Sequence, residues 1–215
     1  DGYVELGELA RVHRGTVTGA NKIWVTPRDA VDLPDDLLFP AITRARELFA
    51  AGERLSTPDD LKAVIDLPTD LDILDEPDRK RVDRFLRKAK RLGVANGYVA
   101  RNRRAWWSIG LSSPAPILTT YMARRPPAFV RNAVDARHIN IAHGIYPRET
   151  MSDSDLDALA AYLRVNVSTT SGRTYAGGLT KFEPREMERL VVPDLPLLRD
   201  KGRHDSRSAA EMVGV

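Results

Sequence analysis

The fold is organised by the stretch Arg11-Val12-His13-Arg14-Gly15-Thr16-Val17-Thr18-Gly19-Ala20-Asn21-Lys22-Ile23-Trp24-Val25. Apolar residues at either end predict short strands, and the polar centre with its two glycines predicts a turn between them. Glycine tolerates positive φ and allows a partner to approach the backbone closely. The side chains of Thr16, Thr18 and Asn21 can bind either that backbone or a ligand. The residues alone therefore leave two interpretations open, a structural turn and a binding turn.

Length and composition indicate one irregular globular domain. The chain has 215 residues, of which 42% are hydrophobic and 29% charged, which is far from the composition of disordered chains. The formal net charge of +3 is small beside 33 Lys plus Arg and 30 Asp plus Glu. The distribution of charge along the chain is therefore more informative than its total.

Cysteine usage and hydropathy exclude several classes. The sequence has no cysteine, so disulfides, thiolate zinc sites and a cysteine nucleophile are excluded. No apolar run approaches the roughly 20 residues that span a bilayer, so we expect no membrane insertion and a cytoplasmic location. Because the chain begins at Asp1 and not at methionine, we expect it to be a piece of a longer protein.

Periodicity predicts an α+β fold with a mostly antiparallel, irregular β-sheet region and several packed helices. We predict helices from Pro40 to Gly52, Pro77 to Leu92, Ser152 to Leu163 and Pro184 to Leu190. Strands are predicted at residues 4–12, 22–26, 63–67, 98–100, 105–110, 116–122 and 128–134. Residues 1–198 form the domain, residues 53–78 a loop-rich insertion within it, and residues 199–215 a mobile tail.

Basic residues concentrate in two places. The helix at 77–92 carries an apolar stripe on one face and eight Lys or Arg residues on the other, among them Arg87 and Arg91. Arg101, Arg103 and Arg104 follow, with further arginines at 124, 125, 131 and 137. Such a density of cations suggests phosphates as the partner, since Lys and Arg neutralise a nucleic-acid backbone and release counterions. The alternative is a solvated helix face.

Aromatic and histidine residues favour structural roles. Trp106 and Trp107 could stack on bases, but strand alternation would point them to opposite faces, so at least one should lie in the core. His138 and His143 lack a third ligand at a persuasive spacing, so we expect hydrogen-bonded structural histidines and no metal site.

A second turn rich in glycine and basic residues runs Arg173-Thr174-Tyr175-Ala176-Gly177-Gly178-Leu179-Thr180-Lys181. Backbone amides in such a turn can bind a phosphate. Its spacing matches neither a phosphate-binding loop nor a dinucleotide fingerprint, so alone it is a weak signal. The sequence shows no nucleophile, base or carboxylate cluster that would form a catalytic site.

The order of these motifs resembles a known family. An opening R-G-x-x-T-G-x-N turn at residues 14–21 and a closing R-x-Y-x-G-G-L-x-K-x-x-P segment at residues 173–184 are similar to the C-terminal target-recognition region of adenine-specific DNA methyltransferases of bacterial restriction-modification systems. The resemblance extends from about Val4 to Pro193 and treats residues 53–78 as variable. Its middle part is not diagnostic.

The resemblance implies a division of labour. A separate N-terminal methyltransferase domain, on the same or another chain, binds S-adenosylmethionine and carries an Asn-Pro-Pro-aromatic motif, neither of which is found in this sequence. The chain alone is then not an enzyme and holds no cofactor. It binds double-stranded DNA and gives sequence specificity to the catalytic domain, which flips the target adenine. The residues implied or inferred to bind DNA are Arg14, Thr16, Thr18, Asn21, Lys22, Arg87, Arg91, Arg101, Arg103, Arg104, Arg173, Tyr175 and Lys181.

Two further expectations follow. The opening and closing motifs should approach each other in the fold if both belong to one DNA-facing framework. The rival function is a protein-interaction or scaffold domain, in which the basic helix binds an acidic partner and both turns are purely structural.

Overall fold

The computed structural model describes residues 2–175 and 178–200. Its helices are α1 (Leu6–Leu9), α2 (Asn21–Trp24), α3 (Ala45–Ala51), α4 (Glu76–Arg91), α5 (Tyr98–Arg101), α6 (Asp153–Asn166) and α7 (Pro184–Glu188). Its strands are β1 (Tyr3–Glu5), β2 (Ala10–Arg14), β3 (Val25–Thr26), β4 (Leu38–Ile42), β5 (Arg54–Leu55), β6 (Lys62–Ile65), β7 (Ile117–Thr120), β8 (Met122–Ala123), β9 (Phe129–Asn132), β10 (Arg137–His138), β11 (Ala142–Pro147), β12 (Arg173–Tyr175), β13 (Leu179–Lys181) and β14 (Val191–Pro193). Short 3-10 turns include Val94–Asn96, and residues 195–200 are helical.

A five-stranded sheet of order β2-β11-β7-β9-β5 forms the centre of the chain. Its pairings are antiparallel except for β5 with β9. Alternate residues face opposite cores, because Ile117 and Phe129 pack with α6 while Leu118 and Val130 pack with α3. Both faces of this sheet are therefore covered.

A second sheet of order β10-β4-β6-β3 packs against α4. Helix α4 begins where the Asp75 carboxylate accepts a hydrogen bond from the Asp78 amide, and it contributes Val82 and Leu86 to the core. Trp24 from α2 is fully buried in the same cluster. The opening turn and the basic helix thus share one hydrophobic core.

Two smaller sheets connect distant parts of the chain. Strand β1 pairs with β14, and β13 lies between β12 and β8. The Phe182 amide donates to the Tyr121 carbonyl oxygen at 2.8 Å, which extends the β13–β8 contact. None of the helices in the described part of the chain is long and apolar enough to cross a membrane.

The α+β prediction is confirmed, and several local predictions are wrong. Residues 38–42 form strand β4, so the helix predicted from Pro40 begins only at Ala45. Residues 21–24 and 98–101 are single helical turns where strands were predicted, and residues 105–110 form no strand. Helix α1 interrupts the strand predicted at residues 4–12. Where a strand was predicted from a short apolar run, the packing of those residues outweighs their strand propensity.

The remaining segments partly follow expectation. Within residues 53–78, β6 confirms the predicted strand, and it pairs with β4 on one side and β3 on the other. Ala63, Val64 and Ile65 are fully buried, so this part of the segment belongs to the core. Of the predicted tail, Arg199 lies in the helical residues 195–200 and pairs with Asp155 at 3.0 Å. Residues 201–215 lie outside the described residues.

Candidate nucleic-acid interface

The opening turn is held against the segment that follows β10. The Gly15 amide donates to the Ala142 carbonyl oxygen at 3.0 Å, and the Asn140 amide donates to the Thr16 carbonyl oxygen at 3.2 Å. A Cβ atom added at Gly15 would lie 2.1 Å from the Ile139 carbonyl oxygen. Position 15 therefore accepts only glycine, because the backbone of the turn and the backbone of Ile139 are in direct contact there.

The second glycine of the turn packs on helix α5. Gly19 has φ of +73°, and an added Cβ would lie 2.8 Å from Val99 of α5. Arg103 Nη2 donates to the carbonyl oxygens of Val17 and Thr18, at 2.8 and 2.9 Å. Burial lowers the pKa of the Arg103 guanidinium. Arg103, which the sequence analysis expects to bind DNA, supports the backbone of the turn through these two bonds.

Polar side chains inside the turn bond to one another just before helix α2 and at its first residue. The Thr18 hydroxyl donates to Asn21 Oδ1 and accepts from the Ala20 amide. Thr18 is 1% exposed, whereas Asn21 and Lys22 are exposed. This burial favours a role within the turn for Thr18 over a contact with DNA, and it leaves Asn21 and Lys22 at the surface.

The opening and closing motifs meet at Glu183. Its carboxylate accepts from Arg14 at 2.7 Å and pairs with Lys181 at 2.5 Å, and these two cations lower the pKa of Glu183, with Lys181 the larger cause. The predicted approach of the two motifs is confirmed at this ion pair. Arg173 is exposed and pairs with Glu186.

The middle of the closing motif is described only in part. Of Tyr175, the structure describes the backbone alone, in strand β12. Residues 176 and 177 of the closing turn lie outside the described residues.

Helix α4 divides into a neutralised half and a cationic half. Arg79 pairs with Asp72 and Asp83, while Arg81 and Arg84 both pair with Asp32. Toward the end of the helix four side chains are exposed and have no ion pair or hydrogen bond with any described residue: Arg87, Lys88, Lys90 and Arg91. The positive charge of α4 is therefore concentrated in its last turns.

Further exposed cations follow α4 in α5 and lie in the opening turn. Helix α4 leads through Gly93 and the turn Val94–Asn96 into α5, which packs on Gly19. Within residues 2–175 and 178–200, the side chains of Arg101, Arg104 and Lys22 are likewise exposed and without an ionic or hydrogen-bonded partner. We call this surface the basic face: Lys22, Arg87, Lys88, Lys90, Arg91, Arg101 and Arg104.

Three of the other arginines considered from the sequence, Arg125, Arg131 and Arg137, are engaged elsewhere. Arg131 is 5% exposed and donates to Asp153 and Asp157, at 2.9 and 2.6 Å. Arg137 donates to the Ser112 carbonyl oxygen, and Arg125 lies over the Phe49 ring at 3.3 Å. Arg131 serves to join β9 to α6, and no local sequence signal identifies its acidic partners, which lie more than twenty residues away.

Trp106 and Trp107 are both partly buried and pack against the core cluster that contains Trp24. Trp106 and Trp107 pack edge to face with ring centroids 5.9 Å apart, and Trp107 Nε1 donates to the Pro68 carbonyl oxygen at 2.9 Å. Strand alternation does not apply to them, since residues 105–110 are irregular.

The histidines are buried beside the opening turn. His143 stacks on Tyr121 with ring centroids 4.1 Å apart, and its Nε2 lies 3.0 Å from the Phe182 carbonyl oxygen. His143 Nδ1 and His138 Nε2 find no hydrogen-bond partner in the described part of the chain. No group of three or more His, Asp or Glu side chains among the described residues is arranged to hold a metal.

Removing the Arg103 guanidinium should loosen the opening turn. We expect Arg103→Leu to lower the free energy of unfolding by about 1–3 kcal/mol, because two carbonyl oxygens lose their donor. Hydrogen exchange of residues 15–21 should accelerate in the same variant. The control is Arg104→Leu, whose exposed side chain should change stability by less than about 0.5 kcal/mol. Equal effects of the two substitutions would contradict the role of Arg103.

Stability should fall as pH is lowered from 7 to 5. Burial lowers the pKa of His138 and of His143 from 6.5 to about 4, so the unfolded chain binds more protons than the folded one between these values. The contribution of the two histidines to the free energy of unfolding is therefore fully present above pH 6.5 and is lost as the pH falls toward 4. Urea unfolding should lose up to about 2 kcal/mol per histidine between pH 7 and pH 5. His143→Gln should roughly halve this loss, and a pH-independent unfolding energy would contradict the assignment.

Comparisons with known proteins agree on one family. The sequence model of the family described as type II methyltransferase M.Eco57I, C-terminal domain, matches residues 1–213. The type II methyltransferase M.XamI of Xanthomonas campestris pv. amaranthicola is 57% identical over 194 residues, which cover 90% of this chain and 37% of that protein. The type II methyltransferase M.AccI of Acinetobacter calcoaceticus is 25% identical over 210 residues, covering 94% of this chain and 38% of that protein.

A solved structure shares the fold. The crystal structure of the type IIG restriction endonuclease BpuSI superposes with a TM-score of 0.58 at 13% sequence identity, covering 94% of this chain and 26% of that one. The chain spans less than two fifths of the length of the two methyltransferases that it matches. The chain belongs to the family of C-terminal domains of type II methyltransferases from restriction-modification systems.

Proposed function

We propose that this domain binds double-stranded DNA and supplies target recognition to an adenine-specific DNA methyltransferase. The observation that carries the proposal is the basic face, whose seven cations are exposed and unpaired among the described residues. Elsewhere on α4 the arginines are neutralised by acidic partners. A surface that keeps its cations free of acidic partners is suited to a polyanion.

The proposed contacts differ in kind. Lys22 and the cations of α4 and α5 contact phosphates, which positions the duplex without reading its sequence. The base edges are read by Asn21, Thr16 and the backbone of the opening turn, which are next to Lys22 in the chain. Asparagine is suited to this role because it can bind adenine through two hydrogen bonds. The ion pairs of Arg14 and Lys181 with Glu183, and of Arg173 with Glu186, hold the opening and closing motifs in position at the DNA. Tyr175 is a proposed DNA contact of the closing motif.

The catalytic chemistry is assigned to another domain. The relatives are named as methyltransferases and are longer than this chain, so we place S-adenosylmethionine binding and adenine flipping in an N-terminal domain of the same or a separate polypeptide. The sequence of this chain contains no cofactor loop and no Asn-Pro-Pro-aromatic motif. The proposal also places the protein in the cytoplasm, with the DNA it binds.

A salt titration tests DNA binding. The chain is titrated against a labelled duplex by fluorescence anisotropy at about 50 and about 200 mM salt. Four phosphate contacts would give a slope of log K against log salt of about −3.6, which corresponds to about 150-fold weaker binding at the higher salt. Binding that is insensitive to salt, or absent at low salt, would contradict the proposal and favour a protein-interaction domain.

A further inference from the structure

Tyr98 is an exposed aromatic residue that lies in the chain between helix α4 and Arg101, both of which contribute cations to the basic face. Its side chain is 78% exposed, which makes it the most exposed aromatic ring among the side chains that the structure describes. Tyr98 is the first residue of α5, and Arg101 lies in the same helical turn. A ring so exposed contributes little to the protein's own core. Its apolar surface can therefore be buried by a partner on binding.

The backbone that carries Tyr98 is firmly held. The Arg101 amide donates to the Gly97 carbonyl oxygen at 3.0 Å, and Asn102 Nδ2 donates to the Tyr98 carbonyl oxygen at 2.7 Å. Val99, the next residue, packs on Gly19 of the opening turn, and Ala100 is buried. Tyr98 is thus presented on a fixed backbone, which reduces the conformational entropy cost of binding its ring.

Two further exposed apolar side chains are close in the chain to these cations or to the turn beside them. Leu92, which follows the last residue of α4, is 60% exposed, and Val17 in the opening turn is 45% exposed. Both lie beside cations, Leu92 next to Arg91 of the basic face and Val17 at the turn that Arg103 supports. A surface that combines exposed cations with apolar residues can contact both the phosphates and the bases of a nucleic acid.

We propose that Tyr98 packs its ring against a nucleobase of the bound duplex, while the cations around it hold the phosphates. This inference rests on the proposed function and adds to it a base contact that carries no charge. Aromatic faces accept any base, and an apolar residue inserted beside a base step unstacks it locally. Tyr98 thereby contributes affinity through stacking and not through counterion release.

Substitutions at Tyr98 separate stacking from other roles. Binding of the whole chain to a labelled duplex is measured at two salt concentrations for Tyr98→Ala and Tyr98→Phe. We expect Tyr98→Ala to weaken binding about 5- to 150-fold with an unchanged salt slope, since stacking releases no counterions. Tyr98→Phe keeps the ring and should bind within about twofold of the unsubstituted chain. The control is Val165→Ala on α6, an exposed apolar side chain at 83% exposure, which should leave binding unchanged.

Each result has a distinct meaning. Unchanged affinity of Tyr98→Ala, or an equal loss in Tyr98→Phe, overturns the stacking inference while salt-dependent binding of the unsubstituted chain still supports the proposed function. A change in salt slope on Tyr98→Ala also overturns it. Failure of the unsubstituted chain to bind DNA overturns the proposed function and this inference together. Thermal unfolding of each variant confirms that the fold is retained, as expected for so exposed a side chain.

Discussion

Replacing Arg87 and Arg91 together by glutamine is expected to weaken DNA binding about 50-fold near 0.1 M salt and to make the salt slope shallower by about 2. Both side chains are exposed in the cationic half of α4 and have no ionic partner among the described residues. For each phosphate that is no longer neutralised, about one counterion fewer is released on binding. The weakening should be uniform across DNA sequences, because phosphates carry no sequence information. Anisotropy titrations of several duplexes at two salt concentrations measure both quantities.

The same helix offers a matched control. Arg81 and Arg84 also carry two positive charges, but both pair with Asp32, at 2.8 Å each. Replacing these two by glutamine changes the net charge of the chain equally. Because both are already paired with Asp32, the replacement should shift the salt slope by much less than replacing Arg87 and Arg91. Equal effects would show that binding follows net charge alone. No effect of either pair would support a solvated helix face or an acidic protein partner.

Gly15→Ala is expected to cause the largest decrease in stability, more than about 3 kcal/mol. The added Cβ would lie 2.1 Å from the Ile139 carbonyl oxygen and 2.7 Å from His138 Cδ2. A backbone carbonyl cannot rotate away as a flexible side chain can, so β10 and the turn would have to separate. Chemical unfolding, or the yield of folded protein, measures this effect.

A second glycine provides the comparison. Gly97 has φ of −65°, and an added Cβ would meet only the Val94 carbonyl oxygen, at 3.4 Å. Gly97→Ala should therefore change the free energy of unfolding by less than about 1 kcal/mol. Similar stability of Gly15→Ala and the unsubstituted chain would mean that the turn does not approach Ile139 as closely as the structure shows.

Long elements with local start and stop signals could be predicted from the sequence. Helix α4 spans Glu76–Arg91, has Pro77 in its first turn and is followed by Gly93, which has φ of +78°. Helix α6 begins at Ser152, whose side chain and that of Asp155 cap each other's backbone amides. These signals are contained within a few residues, so no knowledge of the rest of the chain is required.

Short elements could not be predicted in the same way. Helix α5 has four residues, Tyr98–Arg101, which is too short to be stable by itself and depends on packing against the opening turn. Pro40 lies in β4 because that strand is paired with β6 and β10, although its position resembles the first turn of a helix. The partners that decide both cases are distant in sequence.

The candidate site likewise has parts that local sequence signals reveal and parts that depend on distant residues. The two glycine motifs were recognisable from their spacing, and their predicted approach is confirmed at Glu183. The sequence could not reveal which arginines are free, because the acids that neutralise them, such as Asp32 and Asp157, come from other elements. Tyr98 was also predicted to lie in a strand, so this exposed ring was missed.

The pairing of the chain's first strands has a consequence for its synthesis. Strand β1 pairs only with β14, and β2 lies at the edge of its sheet beside β11, within the part of the chain that the structure describes. The ribosome therefore delivers residues 3–14 long before residues 142–193, against which they fold. Until then the nascent opening strands have no partner, so slow folding and transient pairing with other chains are the expected hazards for this topology. Conditions that slow elongation should increase that risk more than they do for domains with local strand pairing.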